Sequence, residues 1–342
     1  MCIGFKEKEN IIKQLDSVYN HIGVTIHADK HEIEVNGNLM DKILYEEDDI
    51  FAPRSFDNKI EKECLKHTGF NINTLLEIVD VFYKKHPFLV PFVGKHYGNL
   101  SISDKKIRAL YVLESHYLPD FSMLYRDYLD LNKKEAKNNW LKENWYENNL
   151  WWEDLHSQNK IALYKEDVEY MWTESVLRWN IEHNKKFQHL FKTMLMPLNE
   201  NLDDSSKQDI SSQDGLVTLV NSVAFMNYFL RPSEHHGSSI QHEYIDSYLS
   251  YFNLVKVWMK LGKPRIVICS SKVRNSFVYY NDKFSYIKSA EKMTRCNQKI
   301  CLCNHPNNRS WNRKIISEHA DQFLSSAEIQ NNFWKFIKTD SL

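Results

Sequence analysis

The sequence predicts an α/β protein: a three-layer α/β/α arrangement around a central four-stranded parallel sheet, with a helical insertion and an N-terminal subdomain. Three observations predict it. Four short apolar runs, at 107–113, 216–223, 265–269 and 300–303, have the continuous apolar character of strands buried on both faces. The segments between them are long enough for crossover helices. Each run also ends in polar residues, and in an open α/β sheet that edge is where a ligand crevice forms. Those residues are Glu114, Ser115 and His116 for the first run, and Asn221 and Ser222 for the second. Ser270 and Ser271 follow the third run, and Asn304 and His305 follow the fourth.

Taken in order, residues 1–90 form a covering subdomain and 91–342 the main α/β domain. A helical opening (Ile11, Leu15, Val18, Ile22) leads to a hairpin within 24–39, for which Val35-Asn36-Gly37-Asn38 supplies a turn signal. A helix over 74–83 ends at His86-Pro87. The loop 91–98 (PFVGKHYG) enters the first strand. Residues 120–210 read as a helical insertion rich in tryptophan (Trp140, Trp145, Trp151, Trp152, Trp172, Trp179), whose spacing suits packing or, more sharply, stacking on a base. Its end, 201–215, reads as an exposed polar loop. An amphipathic helix is expected over 242–262, with Tyr244, Tyr248, Phe252, Val255 and Met259 on one face and Gly262 and Pro264 as its stop. A minor strand is expected at 284–287, and helices run through 332–338.

Composition narrows the class. Apolar residues at 42% exclude a disordered chain, and only nine glycines argue against an all-β fold or a Gly-rich phosphate loop. No run approaches a transmembrane span, and the opening MCIGFKEKENII lacks a signal peptide's apolar core, so a cytoplasmic protein with reduced thiols is expected. Net charge is −1, yet it is unevenly spread. Residues 1–50 carry five Lys/Arg against eleven Asp/Glu, whereas 256–314 carry fourteen against two. That asymmetry fits either a polyanion-binding face or a solvated basic surface.

The motifs, in this order, resemble those of the uracil-DNA glycosylase superfamily over about residues 91–320. LESHY (Leu113 to Tyr117) stands where that family has a water-activating motif of the GQDPY or GEAPG type. TLVNS (Thr218 to Ser222) is similar to the LLLNT motif, whose asparagine reads the flipped base. IVICSSKVRNSF is similar to the family's third strand and following helix, and HPNNRS (His305 to Ser310) to its HPSPLS motif. Ser115 stands where the best-known members carry an aspartate, Glu114 where other branches carry a glutamate, and Arg309 where the family inserts a leucine.

The resemblance implies a monofunctional DNA N-glycosylase acting on a flipped base. Glu114, with Ser115 and His116, would activate water, and His305 would donate a hydrogen bond to the leaving base. Asn221, Ser222, Tyr117, Asn307 and Asn308 would line the base pocket. Lys95, Ser270, Lys272, Arg274, Arg309, Ser310 and Arg313 would meet double-stranded DNA, with Arg309 filling the vacated duplex space. By analogy with superfamily members that act in antiphage defence, the expected base is a hypermodified, glucosylated hydroxymethylcytosine. Uracil repair and a non-cleaving modified-base binding module are the alternatives.

Bland readings stand beside these: Glu114 as a helix cap, His305 as a loop histidine, Asn221 as a turn cap. Cys296, Cys301 and Cys303 lack a CxxC pair and read as buried thiols, and His235, His236 and His242 lack a matching carboxylate pattern. No metal or other cofactor, no membrane and no obligate protein partner is therefore expected.

Overall fold

The computed structural model describes residues 24–27, 32–35, 56–85, 91–115, 185–231, 239–287, 299–306, 311 and 324–339. The chain groups into two compact units. One comprises Met1–Val90, Ser115–Val176 and Phe229–Lys256; the other comprises Pro91–Glu114, Leu177–Tyr228 and Val257–Leu342. The break after residue 90 is thus a unit boundary, while 115–176 and 229–256 group with the N-terminal residues.

In the first unit, β1 (Val24–His27) and β2 (Glu32–Val35) pair antiparallel with Val24 opposite Val35 and His27 opposite Glu32. In sequence the Asn36-Gly37 signal thus follows β2 rather than joining the two strands. Helix α1 (Asn58–Thr68) starts at Asp57, whose carboxylate accepts from the Lys59 amide at 2.7 Å, and stops at left-handed Gly69. Helix α2 (Ile72–Lys85) buries Ile72, Leu75, Leu76, Val79 and Phe82.

The second unit holds the main sheet, in the order β3-β7-β6-β8-β9. Its strands are β3 (Phe92–Val93), β6 (Ala109–Leu113), β7 (Ala224–Asn227), β8 (Arg265–Cys269) and β9 (Ile300–Cys303). Between β3 and β6 lies a small hairpin, β4 (Ser101–Ile102) with β5 (Lys105–Lys106). Strands β7, β6, β8 and β9 are parallel, and β3 is an added antiparallel edge. Alternate residues Ala109, Tyr111, Phe225, Val267, Cys269, Cys301 and Cys303 form one core with α3 (Lys185–Asn201), α4 (Gln213–Val220) and α7 (Ser326–Thr339). The alternating residues of the opposite face, Leu110, Val112, Ala224, Met226, Ile266, Ile268, Ile300 and Leu302, are equally buried, as full burial of a parallel sheet requires. On that side the Tyr228 hydroxyl lies 3.2 Å from Ser276 of α6 (Ser271–Phe284).

Several sequence expectations are corrected. The run at 216–223 is mostly helix, not strand. Ser212 caps α4 by accepting from the Gly215 amide, and Leu216, Leu219 and Val220 supply a helical buried stripe. A short β-branched apolar run has no period of its own to choose between the two structures; the cap decides. The second parallel strand is instead β7, starting at Ala224. Of the expected exposed loop at 201–215, Asn201 ends α3 and 213–215 begin α4, while 202–212 are a largely exposed loop held by ordered turns. The Asp203 carboxylate accepts from the Ser103 and Asp104 amides at 2.8 and 2.9 Å, and Ser206 lies 3.0 Å from the Ser101 hydroxyl. Residues 284–287 form no strand: Ser285, at φ 53°, ends α6.

Helix α5 (Tyr244–Lys260) departs from the expected stripe. Tyr244 and Met259 are exposed, whereas Ser247, Ser250, Asn253 and Lys256 are buried along with the apolar positions. Burial on nearly every side obliges its polar groups to find partners. Lys256 donates to the Val79 and Asp80 carbonyls at 3.1 and 2.8 Å and pairs with the Asp80 carboxylate at 3.4 Å. Asp246 pairs with Arg231 at 2.8 Å, both side chains fully buried.

Candidate active site at the carboxyl edge of the parallel sheet

The chain runs from β6 to β7 on one side of the sheet, then crosses to β8 and β9 on the other. The strands that follow β6 and β8 thus lie on opposite sides of that pair, the switch point at which an open α/β sheet places a ligand crevice. Glu114 follows β6 there and Ser270 follows β8. The Ser270 hydroxyl donates to Glu114 Oε2 at 2.8 Å, while the same hydroxyl oxygen accepts from the Val273 amide at 3.4 Å as the cap of α6. Ser270 is buried and extended at φ −156°, the geometry of a helix N-cap, so its rotamer is held from both sides. The carboxylate of Glu114 is thus anchored through one oxygen.

His305 follows β9. Burial lowers its imidazole pKa from the usual 6.5, and the negative charge of Glu114 opposes that shift. Burial disfavours the charged ring and so favours the neutral imidazole, which carries a single N–H. Its loop is pinned from behind, where the Asn304 amide donates to the Ser326 hydroxyl at 3.0 Å. Ser325 and Glu328 in turn form a reciprocal capping box at the start of α7, at 2.7 and 3.2 Å. Lys272 and Arg274, in the first turn of α6, complete this edge with two half-buried cations.

Asn221 and Ser222 are not at this edge. Both lie in the turn that precedes β7, so they sit at the amino edge of the parallel sheet. The length of a five-residue strand, about 17 Å, separates them from Glu114. The Asn221 amide donates to the Val217 carbonyl of its own helix at 2.9 Å, and Ser222 to Thr218 at 2.9 Å. The turn-cap reading is therefore the one that describes Asn221. Lys95 belongs to the same amino edge, since the Gly94 and His96 amides donate to the Val223 and Asn221 carbonyls at 3.0 and 2.7 Å.

The residue that the register brings to the carboxyl edge from the second strand is Asn227, opposite Leu113 and one position from Glu114. It is half-buried, and the Tyr228 amide extends the ladder to the Leu113 carbonyl at 3.0 Å. The signal for it was in the chain: the run AFMN also ends in asparagine, and three residues separate it from the helix Gln213–Val220 that Ser212 caps. Ser115 is half-buried and next in sequence to Glu114. His116, Tyr117, Asn307, Asn308, Arg309, Ser310 and Arg313 lie outside the described residues, as do the insertion's six tryptophans, Cys296, His235 and His236.

Among the described residues no group of three His, Cys, Asp or Glu side chains gathers as metal ligands. Cys301 and Cys303 are buried on one sheet face with their sulfurs 3.4 Å apart, and burial together with Cys303 pushes the Cys269 thiol up. Such thiols pack as small apolar groups. No described helix is long and apolar enough to cross a membrane. The chain matches no protein-family model, no curated protein and no solved structure.

Proposed function

We propose that the carboxyl edge of this sheet is the active site of a DNA N-glycosylase that hydrolyses the glycosidic bond of a flipped-out modified base. The observation that carries the reading is the convergence of Glu114, Ser270 and His305 from three different strands at the switch point. Their chemistry suits the two charges of the transition state: positive on the sugar, negative on the departing base. Glu114, held by Ser270 through one oxygen, takes a proton from water as the water oxygen bonds to the anomeric carbon. The carbon–nitrogen bond breaks, its electron pair leaves on the base, and the N–H of neutral His305 donates to the base oxygen where charge grows. The proton released by water returns to the base. Asn227 is the edge-reading residue in this scheme, because its amide both donates and accepts. Lys272 and Arg274 neutralise flanking phosphates. The expected base is glucosylated hydroxymethylcytosine, and the expected role antiviral defence in the cytoplasm.

The test incubates the protein with duplexes carrying uracil, glucosylated hydroxymethylcytosine or only ordinary bases, then treats them with alkali. Breaks confined to the glucosylated duplex support the full proposal, and breaks at uracil transfer the reaction to repair. Retardation without breaks makes the protein a binder and refutes the enzyme. Glu114→Gln keeps the hydrogen bond to Ser270 but lowers cleavage by about a hundredfold or more, the usual loss of a general base. Asn227→Ala raises KM and relaxes base choice.

A further inference from the structure

The described basic residues of 256–314 do not share one edge of the sheet. Lys272 and Arg274 lie at the carboxyl edge, whereas Lys263, Arg265 and Lys299 lie at the amino edge, where Arg108 and Lys95 join them from earlier in the chain. Backbone bonds fix that second cluster: the Arg265 amide donates to the Arg108 carbonyl at 2.9 Å, and the Ile266 amide to the Lys299 carbonyl at 2.8 Å. Arg108 Nη1 donates to the Gly262 carbonyl at 3.3 Å, and the Tyr97 hydroxyl reaches the Leu261 carbonyl at 3.1 Å, tying the Lys95 loop to the same place. Lys95, Arg108, Lys263 and Lys299 are exposed. Lys263 holds a left-handed backbone at φ 57°, which a glycine or asparagine adopts more cheaply.

We propose that this amino edge is a second nucleic-acid surface, which grips the phosphate backbone of a duplex segment other than the one at Glu114. The two edges face opposite ways, with about 17 Å of strand between them, so a straight duplex engaged at one does not lie on the other. Arg265 starts β8 and Lys299 directly precedes β9, about 5 Å apart, and Arg108, one residue before β6, reaches across to the Gly262 carbonyl beside Lys263. The choice of DNA over an acidic protein rests on the proposed function. The consequence is that one molecule bridges two duplexes, or two distant segments of one genome.

The test uses ordinary, uncleavable duplexes: one bead-bound, one fluorescent in solution. Wild-type protein retains fluorescent duplex on the beads at low salt, and the salt slope of duplex binding contains a contribution from the amino edge. Lys263→Glu with Lys299→Glu abolishes retention and lowers the slope by about 1.8, since each phosphate left without its lysine accounts for about 0.9. The single Lys299→Glu, at an exposed strand start, halves the effect and guards against misfolding of the double variant, which far-UV circular dichroism also checks. No retention by the wild type, retention unchanged in both variants, or tighter binding of polyglutamate than of duplex each overturns the proposal. Bridging by a protein that cleaves no modified duplex leaves this inference standing and removes the enzymatic one.

Discussion

Breaking the Arg231–Asp246 pair provides the sharpest test of the energetics. Both side chains are fully buried, and Arg231 donates to Asp246 through Nε at 3.0 and 3.2 Å and through Nη2 at 2.8 Å. The pair is also wired into backbone: Arg231 Nη2 donates to the Gln241 carbonyl at 2.9 Å, and the Glu243 amide donates to Asp246 Oδ2 at 2.9 Å. Replacing Arg231 with Met strands a buried carboxylate, and replacing Asp246 with Leu strands a guanidinium. Each loss costs about 3–5 kcal/mol, because the surviving charge keeps its desolvation penalty without its partner. The double variant removes both charges and is expected to lie within about 1–2 kcal/mol of the wild type, the remainder being the Gln241 and Glu243 backbone groups left unpaired. Equilibrium urea unfolding reads this directly. With a slope of about 3 kcal/mol/M, each single variant shifts the midpoint down by about 1–1.7 M, and the double variant recovers most of it. Additive losses in the double variant, or single variants within about 0.3 M of the wild type, would refute the reasoning.

Other consequences are as direct. A Cβ on Gly94 would run into the Asn221 backbone, which has no flexible end to yield, so Gly94→Ala lowers the thermal midpoint and disrupts the turn before β7; unchanged melting would mean that this turn is not held as described. For His305, a folded pKa below 6.5 means that the unfolded chain binds the extra proton first. Its contribution to stability is complete above about pH 6.5 and is lost as pH falls through that value toward the folded pKa, so His305→Gln flattens urea midpoints between about pH 7.5 and 5. Ser270→Ala removes the α6 cap and the Glu114 anchor together. Stability falls by about 1 kcal/mol, whereas cleavage falls by more than that loss accounts for; equal effects would reduce Ser270 to a cap.

Composition and apolar patterning were enough to give the class and most of the strand ends. Strands β6, β8 and β9 are continuous apolar runs with no competing cap, and each passes straight into a polar residue, so Glu114, Ser270 and His305 were legible as edge groups. The register and the sheet order were not, because no residue spacing encodes which strand lies beside which. Only packing settled that LVTLV is helix and AFMN strand, since the former becomes helical when Ser212 caps it and its stripe meets α3 and the sheet. That one shift moved Asn221 to the opposite edge and brought Asn227 beside Glu114. Packing also divided the basic residues between two edges: charge is written in the composition, but the face it occupies follows from the direction of the strands that carry it.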